Sequence, residues 1–323
     1  MIGRRGLIGV ELGGLRLRAA QRAGRSRWRV ASVPAGRTDS WARLAGAMRR
    51  AAFVPAPVAI SAYREQVLST ALELPPASSG APLNVIARAE LARAFRVSPD
   101  TLSSGWWEVP PPARSGPVTH AIAAGLSLEH GRELSAAAKA AELDCGAIDL
   151  RSNAIGRALE AWTQGECIAA LDVGWNAVSL IVLVGATPVF ERTMDLIAPA
   201  KLFKAGADRL GLPLEIAWAA VCSGGEDHGR RVARELRGAA GDQLDQLVSE
   251  LGRSASFVAQ RYSKHPLCRA VVLGECAAVP GLPQRAAEGL GVPVTLSNIP
   301  PGPEFMVAAG MALYTSDALK GAA

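Results

Sequence analysis

The sequence predicts an α/β chain of two similar lobes, with a separate α/β subdomain inserted after the first sheet. Three observations carry this. A short phrase occurs twice, as Leu7-Ile8-Gly9-Val10-Glu11-Leu12-Gly13-Gly14 near the start and as Ala170-Leu171-Asp172-Val173-Gly174-Trp175-Asn176 halfway along. Each copy is an apolar run, an acid, an apolar residue and a glycine, and each opens a three-strand meander, so the two form an internal repeat. Between them, from 62 to 150, the chain changes texture and reads as a domain of its own.

Each element has a local reason. Residues 7–34 form the first meander, turned at Gly13-Gly14. Leu15-Arg16-Leu17-Arg18-Ala19 and Arg27-Trp28-Arg29-Val30 alternate strictly, which puts arginines on one face of the sheet and apolar residues on the other. Ser40 to Phe53 reads as a helix with Trp41, Leu44 and Met48 on one side. Val58 to Ser61 is a short buried strand. Pro75-Pro76 then breaks the chain. Leu83 to Phe95 is a helix, Gly105 to Val109 and Val118 to Ala124 are paired strands around Pro110-Pro111-Pro112, and Leu128 to Leu143 is a helix before a strand at Ala147 to Leu150. Trp106-Trp107 suits sheet packing better than a contact platform. Ser152 to Trp162 connects to the second meander, with strands near 168–173, 177–184 and 188–194. Pro199 to Gly211, Leu214 to Val221 and Arg230 to Tyr262 are helical. A buried strand at Arg269 to Gly274, a helix at Leu282 to Leu290, a strand at Val292 to Leu296 and a helix from Pro303 to Leu319 close the chain. Ala308, Ala309, Gly310 and Ala312 would let that last helix pack closely.

The expected division is a first lobe over 1–61, with 151–164 returning to it, and an inserted subdomain over 62–150. A second lobe covers 165–198 and 266–323, and a mostly helical subdomain covers 199–265.

At 323 residues the chain is long enough for two domains. Its 49% hydrophobic and 20% charged content fits a compact soluble protein. No stretch approaches the roughly 20 apolar residues of a membrane span, and the N-terminus lacks the apolar region of a signal peptide, so a cytoplasmic chain is expected. The five cysteines are odd in number and widely spaced, which points to isolated buried thiols. The net charge of +6 is concentrated at the start, where 12 arginines among the first 50 residues face only Glu11 and Asp39. That excess reads first as a solvated sheet face and second as a surface for an anionic membrane. No nucleic-acid signature accompanies it. Gly224-Gly225-Glu226-Asp227-His228-Gly229 reads as a turn, without a second ligand cluster that would make it a metal loop.

The order of motifs resembles the actin-like ATPase superfamily, specifically the PilM family of type IV pilus assembly proteins, relatives of FtsA. Ile8 to Leu17 is similar to the family's opening motif, and Leu171 to Val178 to its mid-chain motif. Val271-Val272-Leu273-Gly274-Glu275-Cys276-Ala277-Ala278-Val279-Pro280-Gly281-Leu282 is similar to its late glycine-rich motif, and Phe305 to Leu313 to its closing helix. The resemblance implies a two-lobed actin-like (ribonuclease H-like repeat) fold with an inserted FtsA/PilM-type subdomain. It implies ATP and magnesium as cofactors, at a candidate site of Glu11, Gly13, Gly14, Asp172, Gly174 and Gly274.

Four features of this chain depart from that pattern. Glu11 is one methylene longer than the family's aspartate. Trp175 and Asn176 stand where small and hydroxyl residues are usual, and the indole is expected to crowd a terminal phosphate unless it points away. Gly274-Glu275-Cys276 replaces the family's run of glycines, and Glu275 brings bulk and negative charge there. Aligning the family's ribose-binding helix on Ser223-Gly224-Gly225 puts Trp218 and Val221 where an acid and a lysine belong. The expectation is a degenerate nucleotide site without hydrolysis and no catalytic residues, with Glu11 and Asp172 repelling weakly across a solvated cleft.

The resemblance also implies a partner, the cytoplasmic tail of a PilN-like inner-membrane protein, held between the inserted subdomain and the first lobe. Ile60, Tyr63, Ile86 and Phe95 are the candidate contacts by position. The chain is thus expected to be a cytoplasmic scaffold, peripheral on the inner membrane, in a pilus or secretion machine. An ATPase or kinase of the same superfamily, or a GspL-like secretion component, are the alternatives. A GspL-like protein would be expected to continue into a membrane span, whereas this chain stops at Ala323.

Overall fold

The computed structural model describes residues 6–24, 26–112, 116–195, 197–213, 241–279 and 281–315. Two five-stranded sheets dominate it, and they share one topology. In the first, β1 (Ile8–Leu12), β2 (Arg16–Arg22) and β3 (Trp28–Pro34) form the predicted antiparallel meander. β4 (Val58–Ser61) and β8 (Cys145–Asp149) then continue in parallel from β1, giving the order β3-β2-β1-β4-β8. In the second, β9 (Cys167–Val173), β10 (Val178–Val184) and β11 (Thr187–Met194) repeat the meander. β12 (Leu267–Leu273) and β13 (Val294–Leu296) continue in parallel from β9, in the order β11-β10-β9-β12-β13. The repeated phrase therefore marks two equivalent sheets, and Glu11 and Asp172 each sit one residue before the end of the equivalent first strand.

A third, antiparallel sheet belongs to the inserted subdomain, with the order β5-β7-β6 built from β5 (Leu68–Leu74), β6 (Leu102–Glu108) and β7 (Thr119–Ser127). Helix α2 (Leu83–Phe95) covers one of its faces through Ala87, Leu91 and Ala92. The adjacent Trp106 and Trp107 point to opposite faces, as strand geometry requires. The Trp106 indole donates to Asn84 Oδ1 at 2.7 Å, and the Trp107 indole donates to the Pro188 carbonyl at 2.7 Å in the second lobe. Both indoles therefore work in packing.

Three expectations change here. β8 was expected in the inserted subdomain, yet it pairs with β4 and extends the first sheet, so the insert's own sheet ends at Ser127. β5 alternates Leu68, Thr70, Leu72 and Leu74 on one side, a strand pattern that Pro75-Pro76 obscures in the sequence. The arginine face of β2 is only partly solvated. Arg16 and Arg22 are exposed at its ends, while Arg18 between them is 3% exposed.

The element that packs against β1 and β2 is the closing helix, α8 (Met306–Ala312), whose seven residues are all buried. It also packs against α4 (Arg151–Thr163). Glycine makes both approaches close enough. A Cβ at Gly9 would overlap the carbonyl of Ala308, and one at Gly310 would overlap the carbonyl of Ala154. Small residues thus let backbone meet backbone where the lobes join.

The remaining helices are α1 (Ser40–Arg50), α3 (Leu128–Ala140), α5 (Pro199–Leu210), α6 (Gly241–Arg261) and α7 (Leu282–Leu290). α1 buries Leu44 and Met48 in the first-lobe core, while Trp41 is half-buried against it. α6 and α7 pack on the second sheet through Leu247, Leu251, Val258, Leu282, Ala286 and Leu290. The expected helix at Leu214 to Val221 and the start of that at Arg230 lie outside the described residues, while the closing helix, expected over Pro303 to Leu319, is one 3-10 turn at Pro303–Phe305 and an α-helix that already ends at Ala312. Among the described cysteines none is bonded, and Cys268 is exposed, contrary to the expectation of buried thiols. Among the described residues no helix is long and apolar enough to cross a membrane.

Candidate functional site

The two repeated turns face each other across the cleft between the sheets, and both fold by the same hydrogen bond. Gly13 N–H donates to the Arg16 carbonyl at 3.1 Å, and Gly174 N–H donates to the Ala177 carbonyl at 3.0 Å. The third component is the turn after β12. Gly274 holds φ at +102°, and a Cβ there would lie 2.6 Å from Asp172 Oδ1 and 2.8 Å from the Val173 backbone, so only glycine fits. The structure thus brings Glu11, Gly13, Gly14, Asp172, Gly174 and Gly274 together at one cleft.

The residue after Gly274 fills that cleft. Glu275 Oε1 accepts from the backbone N–H of Gly14 at 2.9 Å and of Trp175 at 3.0 Å. Oε2 accepts from Leu15 N–H at 3.2 Å and from Arg18 Nη1 at 3.1 Å. One carboxylate therefore takes the exposed backbone donors of both turns and a buried guanidinium, where an anionic ligand would bind. Its side chain is 2% exposed and that of Arg18 is 4% exposed. The charge that was expected only to oppose a ligand takes the ligand's place.

The two acids are also occupied. Arg151, the first residue of α4, reaches Asp172 Oδ2 at 2.9 Å and Glu11 Oε1 at 3.0 Å with the same nitrogen. Arg64 meets Asp172 Oδ2 at 2.8 Å. Glu11 and Asp172 are 1% and 0% exposed, so the expected solvated cleft with mild repulsion is replaced by a dry ion cluster. Burial pushes the Asp172 carboxyl up, but Arg151 and then Arg64 outweigh it and hold the group below the usual carboxylate range. Burial pushes the Glu11 carboxyl up, and Arg151 and Arg18 recover only part of that, so it stays above the usual range. Burial alone would lower the Arg151 guanidinium, yet its two acids raise it.

Trp175 does not crowd the cleft. Its indole turns into the second-lobe core and stacks on Phe203 at 5.8 Å between centroids and 19° between planes. Its backbone N–H and its Cβ, which lies against Gly14, face the site.

A magnesium-bound triphosphate does not fit this arrangement. Glu275 already takes the N–H groups of Gly14, Leu15 and Trp175, arginines take one oxygen of each acid while Glu11 Oε2 and Asp172 Oδ1 stay buried without a hydrogen-bond partner among the described residues, and the remaining cavity is about 90 Å³. Small-molecule sites are usually about 300 Å³ or more. Among the described residues no group of three or more His, Cys, Asp or Glu side chains stands ready for a metal. The candidate ribose-binding residues Trp218 and Val221, with the turn from Ser223 and the Gly224–Gly229 loop, lie outside the described residues.

The four candidate partner contacts do not come together. Ile60 is fully buried in β4, and Ile86 packs against the core of the inserted subdomain. Tyr63 is 37% exposed at the mouth of the cleft. Phe95 is 39% exposed and lines a cavity of about 510 Å³ between the inserted subdomain and the second lobe, with Phe190 and Phe257. Leu150, Arg151 and Ser152 of the first lobe line that cavity too, and a second groove touches the inserted subdomain, the first lobe and, through Thr187 and Pro188, the second lobe. It is a cavity of about 370 Å³ lined by Ser103, Gly105 and Trp106 of β6, Asp149 of β8, and Asn153 and Arg157 of α4.

Arg18, Arg64 and Arg151 are the site residues that sequence reasoning passes over. One signal was present for Arg151. It opens a helix whose first turn has no acid, where the helix dipole disfavours a cation, so an arginine there needs an anionic partner from elsewhere.

No protein-family model matches the chain, and no curated protein does. Solved structures do. The chain is similar to a PilM–PilN type IV pilus biogenesis complex, with a TM-score of 0.79, 21% identity, and coverage of 96% of this chain and 98% of that one. It is also similar to the ethanolamine utilization protein EutJ of Carboxydothermus hydrogenoformans, with a TM-score of 0.57, 12% identity, and 97% and 91% covered. A third is MreB 5 of Spiroplasma citri bound to AMPPNP, with a TM-score of 0.53, 11% identity, and 98% and 97% covered. Two sheets of one topology, an inserted subdomain and these full-length likenesses give the chain the two-lobed actin-like fold, in its PilM-like form.

Proposed function

We propose that this chain is a non-hydrolysing scaffold of a type IV pilus or related secretion machine, and that it binds the cytoplasmic tail of a PilN-like inner-membrane protein. The observation that carries the reading is the full-length likeness to the PilM of a PilM–PilN complex. The cleft supports the non-hydrolysing part of it. Its phosphate-facing donors are bonded to Glu275 and its acids to arginines, as a degenerate nucleotide site would be. An ATPase or kinase would need those groups free.

The groove between β6 and β8 suits an extended peptide. β6 is an edge of the third sheet and β8 an edge of the first, so each offers backbone groups for strand addition. Arg157 and Asp149, paired at 2.7 Å, give the groove charged groups of both signs. Gly105 tests this cleanly, because a Cβ there meets nothing within 4 Å and a side chain would enter the groove without disturbing the sheet. Gly105→Arg is expected to weaken binding of the partner's N-terminal tail peptide, measured by fluorescence anisotropy, by at least about tenfold. Its melting temperature should match that of the parent. Undiminished binding by the folded variant would place the peptide elsewhere.

The same reading puts the first lobe toward the membrane. Arg22, Arg27, Arg37, Arg43, Arg49 and Arg50 are exposed around β3 and α1, a basic surface that an anionic leaflet would attract. Vesicle sedimentation is expected to show binding to anionic lipid that falls with salt. Equal binding to neutral vesicles would remove the electrostatic argument.

A further inference from the structure

We propose that Glu275 is a built-in ligand that holds the cleft shut. Its carboxylate serves as the intramolecular substitute for an external anion, joining the two lobes without a nucleotide. This deepens the reading of the cleft as a degenerate nucleotide site and rests on it.

The argument is one of geometry and charge. Glu275 follows β12 of the second lobe, and three of its four donors, Gly14 N–H, Leu15 N–H and Arg18 Nη1, belong to the first lobe. The fourth, Trp175 N–H, comes from the equivalent turn of the second lobe. Backbone donors converging from two facing turns, with a buried arginine behind them, form an anion-binding concavity. A carboxylate in a protein interior makes its strongest hydrogen bonds to donors of this kind. The side chain is tethered at Gly274, whose own position is fixed by the N–H it gives to the Pro303 carbonyl at 2.9 Å and by its contact with Asp172. The substitute anion is therefore permanently delivered, and it competes with any free anion at the effective concentration of an intramolecular group. Deleting it leaves the three backbone N–H groups and Arg18 as a vacant anion site. The structure thus holds a cleft whose closure depends on one residue of its own chain.

Chemical rescue tests this. Thermal unfolding of the full chain and of Glu275→Ala is followed in sodium chloride, sodium acetate and sodium pyrophosphate at matched ionic strength. The parent is titrated with Mg-ATP alongside. The parent is expected to melt at one temperature in all three salts and to give no saturable Mg-ATP signal. Glu275→Ala is expected to melt lower in chloride and to be restored by acetate and pyrophosphate, with apparent affinity at least about tenfold above the parent's. If the variant is recovered unfolded, its refolding yield in acetate or pyrophosphate against chloride reads the same quantity. Saturable Mg-ATP binding by the parent would overturn the degenerate-site reading together with the latch. A silent parent and a variant that neither anion restores would overturn the latch alone.

Discussion

Replacing Arg151 with alanine is expected to destabilise the protein by about 3–5 kcal/mol, because it strips the cation from two buried acids at once. Asp172 would keep Arg64, and Glu11 would lose its only ion-pair partner among the described residues. The pH dependence between neutral and mildly acid pH should steepen with it. In the parent, Asp172 sits below its unfolded value, so its contribution is complete above the ordinary carboxylate range and is lost as pH falls through the folded value. Glu11 sits above its unfolded value and acts oppositely, so its contribution is present at low pH and lost as pH rises through the folded value. The groups that face the pair are Arg151, Arg64, Arg18 and Glu275. Without Arg151 both carboxyls rise, and the variant should gain stability on going from neutral pH to about pH 5. Urea unfolding of parent and variant at the two pH values measures this. A variant that gains no more stability than the parent on mild acidification would show that Arg151 does not control the acids.

Gly310→Ala is the second large effect. The new methyl would overlap the Ala154 carbonyl, so the obstacle is backbone, and α8 and α4 must separate. Overpacking of this kind costs about 1–3 kcal/mol where side chains can yield, and more where they cannot. A loss of about 3 kcal/mol, or several degrees in melting temperature, is expected. Gly105→Ala is the control, since its methyl enters open space and should change stability by less than about 0.5 kcal/mol. Equal melting temperatures for the two variants would mean that α8 does not join the lobes as tightly as its glycine implies.

Much of the architecture was legible because it is local. Alternation and apolar runs place β1 to β4 and β9 to β12 within a few residues, and the repeat of acid and glycine correctly pairs the lobes. β5 is not legible locally, because it runs directly into Pro75-Pro76, residues that mark a break in regular structure. β8 was seen as a strand and given the wrong sheet, since a strand's own residues state its faces and leave its neighbours open.

The sequence by itself determined that this chain has two equivalent lobes with acid-tipped turns and that its phosphate loops depart from the usual pattern. It determined these because periodicity and glycine placement are properties of neighbouring residues. Only the tertiary structure decided what the departures mean. Glu275 lies 261 positions from Gly14, and Arg151 lies 140 from Glu11, so nothing local in the chain couples them. Read singly, Glu275 is a misplaced charge, Arg151 a helix residue facing the wrong dipole, and the two acids a repelling pair. Folding buries them against partners from distant parts of the chain, Glu275 against Arg18 and three backbone N–H groups and the two acids against Arg151 and Arg64, so what reads as erosion of a binding site becomes a network of buried ion pairs.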